Sequence, residues 1–258
     1  MRNLIALALA CIGAISLAGP ARADAIIVTY GAAGQQSAAG AVVANATKLG
    51  TQDFNARATG SGGFATSFGT GGVINGIYSA GADIMPADIY GGTRGTGSYI
   101  AALGGTDGYT ISLATSGVPG VNYFGFWLSA LDAGNQVVFK REGVQVGTYA
   151  PQDLVSALGA CPNGGNPYCG NPNDRFSGAD ANEAFAFVNF VDLNGFFDQI
   201  DLVERPNVGN YESDNHTVGY CANAQACVSG TAIPEPVSFA LLFTGLAGIG
   251  LIRLRRRA

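Results

Sequence analysis

Along most of the chain, apolar and polar positions fall into short runs bounded by Gly, Asn, Asp and Pro, the signature of β-strands joined by turns. Tyr109–Ala114 (YTISLA) alternates with period two. Ala25–Tyr30 (AIIVTY) is β-branched, and Val121–Ala130 (VNYFGFWLSA) is long and aromatic. Gln136–Lys140 and Val144–Tyr149 flank Arg141-Glu142-Gly143 and predict a hairpin. Phe185–Leu193 and Phe197–Val203 flank Asn194-Gly195 and predict a second one, on the strongest hairpin signal in the chain. Asp214–Tyr220 predicts a closing strand, and Pro151–Leu158 is the one clear short helix, with Pro at its start and Asp153 in its first turn.

Residues 31–107 read differently, being rich in Gly, Ala, Ser and Thr. Phe64–Phe68 and Val73–Tyr78 are weak strand candidates there. The stretch predicts either edge strands and long loops of the same domain or, in part, a flexible linker. Recurrent Ile74, Ile77, Ile84, Met85 and Ile89 favour the first. No fixed-period repeat is present. Many short strands, turns and one helix predict an all-β chain, a jelly-roll-like β-sandwich rather than an α/β enzyme fold.

Two apolar runs stand outside this pattern. Leu4–Leu17 follows Arg2 and precedes Gly19-Pro20 and the Ala21-Arg22-Ala23 cleavage pattern, so residues 1–23 predict a signal peptide cut by signal peptidase. Ala23-Asp24-Ala25 offers a second cut two residues later. At the other end Val237–Ile252 carries no charge and is followed by Arg253, Arg255, Arg256 and Arg257. Such a segment predicts a short transmembrane helix stopped by arginines that stay cytoplasmic and snorkel to the interface. Residues 24–232 are then the exported domain, and 233–258 the tail.

Composition and charge sharpen this division. Of 258 residues 48% are hydrophobic, which excludes a disordered chain, and the 39 glycines show no collagen period. The net charge is −5. Within residues 24–232, seven basic residues stand against seventeen acidic ones, which leaves the body near −10 and the two ends near +5. An acidic body of this kind argues against nucleic-acid binding.

The order Pro234-Glu235-Pro236, apolar helix, terminal arginines resembles the PEP-CTERM sorting signal of exosortase-dependent bacterial surface proteins. The match covers Pro234–Ala258, with a signal peptide at the opposite end. Prolines on both sides hold Glu235 extended, a form that a processing enzyme can grip. The resemblance implies cleavage near this motif by exosortase, transient membrane anchoring, and then a place at the cell surface or outside the cell. It further implies a structural or adhesive role with extracellular polysaccharide, as in a biofilm. The block Tyr123–Val218, through the phrases Ser-Ala-Leu-Asp-Ala-Gly-Asn and Glu-Ser-Asp-Asn-His-Thr, resembles the ectodomain of a recurrent subfamily of these proteins. That likeness brings no established activity with it.

Candidate chemistry in the body is sparse. Cys161, Cys169, Cys221 and Cys227 are an even set in an exported chain and predict disulfides. Three pairings are possible, of which the two local ones are expected. The spacings and a lone histidine do not suit zinc. His216 could join Ser and Asp214 in a triad, but no nucleophile elbow is present, and a partly buried strand histidine is the expectation. No spacing singles out a glycosidase-type pair of carboxylates, and the chain is not expected to be an enzyme. Oxygen-rich stretches at Asn171–Glu183 and Tyr211–Asn215 make Asp174, Asp180, Glu212 and Asp214 weak calcium candidates. Otherwise no cofactor is expected. Trp127, the single tryptophan, is expected in the core. A carbohydrate-binding module, the alternative function, would require exposed aromatics on a sheet face or loop rim. A secreted hydrolase is a more distant alternative.

Overall fold

The computed structural model describes residues 25–233, except 103, 104 and 208. In chain order the strands are β1 (Ile26–Tyr30), β2 (Lys48–Gln52), β3 (Gly60–Ser61), β4 (Phe64–Thr66), β5 (Ile74–Tyr78), β6 (Asp83–Pro86), β7 (Ser98–Ala102), β8 (Gly108–Thr115), β9 (Tyr123–Ser129), β10 (Asn135–Arg141), β11 (Val144–Tyr149), β12 (Ala186–Asp192), β13 (Gln199–Glu204), β14 (Tyr211–Tyr220) and β15 (Thr231–Ala232). Two α-helices accompany them, α1 (Gly40–Asn45) and α2 (Pro151–Leu158).

The strands form two antiparallel sheets. The first runs β15-β1-β12-β9-β14-β7-β6-β3, with β2 also pairing β14, and the second runs β11-β10-β13-β8-β5-β4. The Gly-rich stretch is thus part of the body, since β2 to β7 lie in these sheets. One core fills the space between them. Phe124, Phe126, Val188 and Phe190 come from the first sheet; Ile111, Phe139, Ile200 and Leu202 come from the second. The rings of Phe139 and Phe190 meet across the layers with centroids 5.0 Å apart. Strands such as β8, β10 and β13 alternate buried and more open positions because their outer face is solvated. On β9 and β12 every residue is buried. Their outer side chains, including Trp127 and Phe187, pack in a smaller cluster with Phe185 rather than in the central core.

The β10–β11 hairpin forms as expected. Arg141 pairs Val144 across the two-residue turn Glu142-Gly143, whose φ values are 51° and 76°. Positive φ at both positions matches the twist of the flanking strands. The Asn194-Gly195 hairpin does not form. β12 pairs β1 and β9 in the first sheet, whereas β13 pairs β10 and β8 in the second. Asp192 explains the change of layer. Its buried carboxylate accepts from Asn194 N–H at 3.0 Å and Gly195 N–H at 2.8 Å, and Arg141 lies 3.3 Å away. The turn is therefore closed by a side chain, and the chain leaves it toward the other sheet instead of folding back on β12.

The helix α2 spans the expected residues, burying Leu154 and Leu158, and ends at Gly159 with φ 89°. Sγ of Cys161 lies 2.02 Å from that of Cys169, and Sγ of Cys221 lies 2.05 Å from that of Cys227, so the two local pairs are the disulfides. The two ends of the body meet at one sheet edge, where Ile233 N–H donates to Val28 C=O at 2.9 Å beyond β15. No helix among the described residues is long and apolar enough to cross a membrane. Ala21, Ala23, Pro234, Glu235, Pro236, the predicted helix Val237–Ile252, Arg253 and Arg255–Arg257 all lie outside the described residues.

Candidate functional site

The central strand β14 carries most of the polar residues that the sequence singles out. Its register against β9 shifts between Asp214 and Thr217, where Asn215 takes φ 50°. A bulge of this kind re-aims side chains. Tyr211, Ser213, His216 and Val218 join the inter-sheet side, while Glu212 and Asp214 face the outer side of the first sheet.

On the inner side, His216 is fully buried rather than partly buried. Tyr78 OH lies 2.9 Å from its Nδ1, Ser213 Oγ lies 2.9 Å from its Nε2, and Tyr109 OH lies 2.9 Å from Ser213 Oγ. A neutral imidazole offers one donor and one acceptor, so every member of this chain can be satisfied. Phe54, Phe124 and Phe126 pack edge-on around the ring. Burial holds the imidazole down at about 3, so it stays neutral. The Ser213–His216 pair has the contact of a nucleophile and its base, but the aromatic packing leaves no room for a substrate. Asp214 lies on the opposite face of the strand and does not orient the ring. The pair is structural.

The outer face is covered by loops. Asn171 Nδ2 donates to Ile89 C=O at 3.0 Å, Asn173 Nδ2 donates to Gly92 C=O at 3.1 Å, and Tyr168 OH donates to Gly31 C=O at 3.0 Å. Asp214 accepts from the N–H groups of Thr93 at 2.8 Å and Asn215 at 2.6 Å. Burial nevertheless raises its carboxyl to about 7. Trp127, Ser129 and Glu212 lie beneath these loops, and Trp127 Nε1, Ser129 Oγ and Glu212 Oε2 are buried without a hydrogen-bond partner.

Four carboxyls gather beside them. Glu212 stands directly across from Ser129 on the neighbouring strand. Asp132, just beyond β9, accepts from the backbone N–H of Asn210, and burial, opposed by that bond, raises its carboxyl. Asp180 and Glu183 come from the loop after the Cys161–Cys169 disulfide. The Glu183 carboxyl meets those of Asp180 and Asp132, and Asp180 Oδ2 is buried without a donor. Burial first, then these neighbours, push Glu183 up to about 8. Burial likewise raises Glu212 to about 8, against a bond from Asn210 and with the charges of Asp132 and Asp88 adding to the rise. A cavity of about 120 Å³, lined by Glu183, Asn182, Cys161, Gly159, Val155 and Leu131, lies beside Glu183.

Of the four calcium candidates, Asp180 and Glu212 both act on the carboxyl of Glu183, Asp180 through a hydrogen bond and Glu212 through its charge. The fold places Asp214 at the N–H of Thr93 and Asp174 on an exposed turn. Asp132 and Ser129 carry no local signal of their own, because their nearness to Glu212 depends on the β9–β14 register. Among the described residues no group of three or more His, Cys, Asp or Glu is placed so that it could hold a metal ion. Tyr78, Tyr99, Tyr109, Tyr123, Tyr149, Tyr211 and Trp127 are buried, and Tyr90 is the one exposed aromatic among the described residues.

Fold and site together define a disulfide-closed protein of two antiparallel sheets, with a half-buried carboxyl cluster on one outer face. No family model, curated protein or solved structure matches the chain.

Proposed function

We propose that the chain is an exported surface or matrix protein, sorted and cleaved by exosortase, with a structural or adhesive role alongside extracellular polysaccharide. The observation that carries this reading is the ordered tail: Pro234-Glu235-Pro236, apolar run, arginines. Signal peptidase acts at Ala21–Ala23 and exosortase near Pro234–Pro236, so the working protein is the body of about 209 residues. Two disulfides suit an oxidising compartment. The long-range pairings of β1 with β12 and β2 with β14 support a jelly-roll-like sandwich as the finer form of the fold. In this reading the chain is no enzyme, which agrees with the sealed Ser213–His216 pair. The burial of Trp127, Tyr78, Tyr109, Tyr123 and Tyr211 favours this reading over the carbohydrate-binding module, which would use exposed aromatics.

Replacing Pro234, Glu235 and Pro236 together by Ala tests the sorting. The precursor is expected to stay uncleaved and membrane-held, detected as a larger band in the membrane fraction. Normal processing and release of this variant would overturn the reading.

A further inference from the structure

The body ends on a strand that is tied to it along one edge only. β15 is the last strand of the first sheet and pairs β1 alone, Thr29 facing Ala232 and Tyr30 facing Thr231. Ile233 N–H donates to Val28 C=O at 2.9 Å, and Thr29 Oγ1 donates to Ser229 C=O. Ile233 is buried, whereas Thr231 and Ala232 are exposed. Upstream, Cys227 is fully buried and held by its disulfide to Cys221. Residues 228–233 therefore run from a fixed cysteine to the edge of β1. A short edge segment with so few bonds opens at far lower cost than the sheet as a whole.

In the sequence Pro234 follows Ile233 directly, and the apolar run begins at Val237. With β15 docked, four peptide units separate Ile233 from that run, a span of at most about 14 Å when fully extended. At this distance the edge of the first sheet stands in the way of a membrane-embedded enzyme. The backbone of Ile233, which an extended substrate would offer to its enzyme, is already engaged by β1. Unpairing residues 228–233 adds six residues of reach, about 20 Å. We propose that β15 is a release strand: docked on β1 it holds the sorting motif against the body, and its unpairing as far as Cys227 delivers the motif and limits the rate of tail cleavage. This inference rests on the sorting reading above and adds to it a gate built into the body.

The test follows the full-length chain by pulse-chase in cells that carry the processing enzyme, reading conversion of the larger precursor band. Thr29→Cys with Ala232→Cys joins residues that face each other across antiparallel strands, a separation of about 4.5–5.5 Å that a disulfide spans. Conversion of the cross-linked chain is expected to slow by more than about tenfold, because only the open form is cleaved, while each single-cysteine variant converts at the wild-type rate. A spacer of about eight Gly and Ser residues between Ile233 and Pro234, roughly 16 Å of reach, is expected to restore conversion in the cross-linked chain. That rescue separates a blocked approach from a misfolded body. A cross-linked chain, verified by peptide mapping, that converts at the wild-type rate would overturn the proposal, and so would a block that the spacer leaves in place. The Ala replacement of Pro234, Glu235 and Pro236, run alongside, reports on the sorting itself. Normal conversion of that variant removes the sorting reading, whereas its retention beside an unimpeded cross-linked chain removes the gate alone.

Discussion

The two sides of β14 solve the same problem in opposite ways. Each buries polar groups against a strand in the middle of a sheet. On the inner side, His216, Ser213, Tyr78 and Tyr109 form a closed chain of 2.9 Å contacts inside a ring of phenylalanines. On the outer side, Glu212 and Ser129 lie cross-strand from one another with buried oxygens unmatched, among carboxyls that repel. The inner set is neutral and complete, so it specifies the packing of the two sheets and needs nothing from solvent. The outer set is acidic and incomplete, so its stability depends on what the medium provides. The loop that follows the Cys161–Cys169 disulfide and carries Asp180 and Glu183 is what that dependence acts on.

The comparison can be broken most severely from the inside. His216→Ala would leave a cavity among the aromatic rings and strip a partner from both Tyr78 OH and Ser213 Oγ. A loss of about 3–5 kcal/mol in denaturant unfolding is expected. A loss below about 1 kcal/mol would mean that the inner chain of bonds does not hold the sheets.

pH separates the two sides by sign. Glu183 and Glu212 sit at about 8 against an ordinary 4.5, so the folded state binds more protons than the unfolded one between these values. Their contribution is full below about 4.5 and is lost as pH rises through 8. His216 sits at about 3 against an ordinary 6.5. Its contribution is present above 6.5 and is lost as pH falls toward 3. Stability is therefore expected to decline from about pH 6.5 through 8, and His216→Phe should remove only the acid-side loss. A flat profile between pH 6 and 9 would contradict the strain assigned to the outer cluster.

The smallest expected effect sharpens the outer side alone. A Cβ placed on Gly209 would sit 1.7 Å from Asp132 Oδ2. Gly209→Ala should therefore push that carboxyl aside without deleting it. Stability at neutral pH is expected to change by less than about 1 kcal/mol in denaturant unfolding, while the loss between neutral pH and 9 changes, because Asp132 adds to the rise of Glu183 and Glu212. An unchanged pH profile would take Asp132 out of the cluster.

Much of this fold is legible in the sequence wherever local pattern and burial agree. β8, β10 and β13 have one solvated face, so their alternation shows directly. The Glu142-Gly143 turn supplies the positive φ that its hairpin requires. Legibility fails where a polar residue is covered by something distant. β14 begins at Tyr211, three residues before the expected start, because Glu-Ser-Asp reads as a loop until other loops roof it over. Asn194-Gly195 carries a hairpin signal, yet Asp192 and Arg141 decide where the chain goes next. Asp180 and Glu212 are visible as oxygen-rich positions. Nothing nearby in sequence joins them to each other or to Asp132.

The sequence by itself carried the strand-rich body and the short helix α2, and it favoured the local cysteine pairs among the three possible pairings. These depend on periodicity, turn chemistry and spacings of a few residues. Only the tertiary structure decided that His216 is sealed in a neutral network and that acids from three distant stretches act on one another at one outer face. Burial and like-charge proximity are properties of strand register and loop closure. They arise between residues as far apart as Asp132 and Glu212, where no local pattern can carry them.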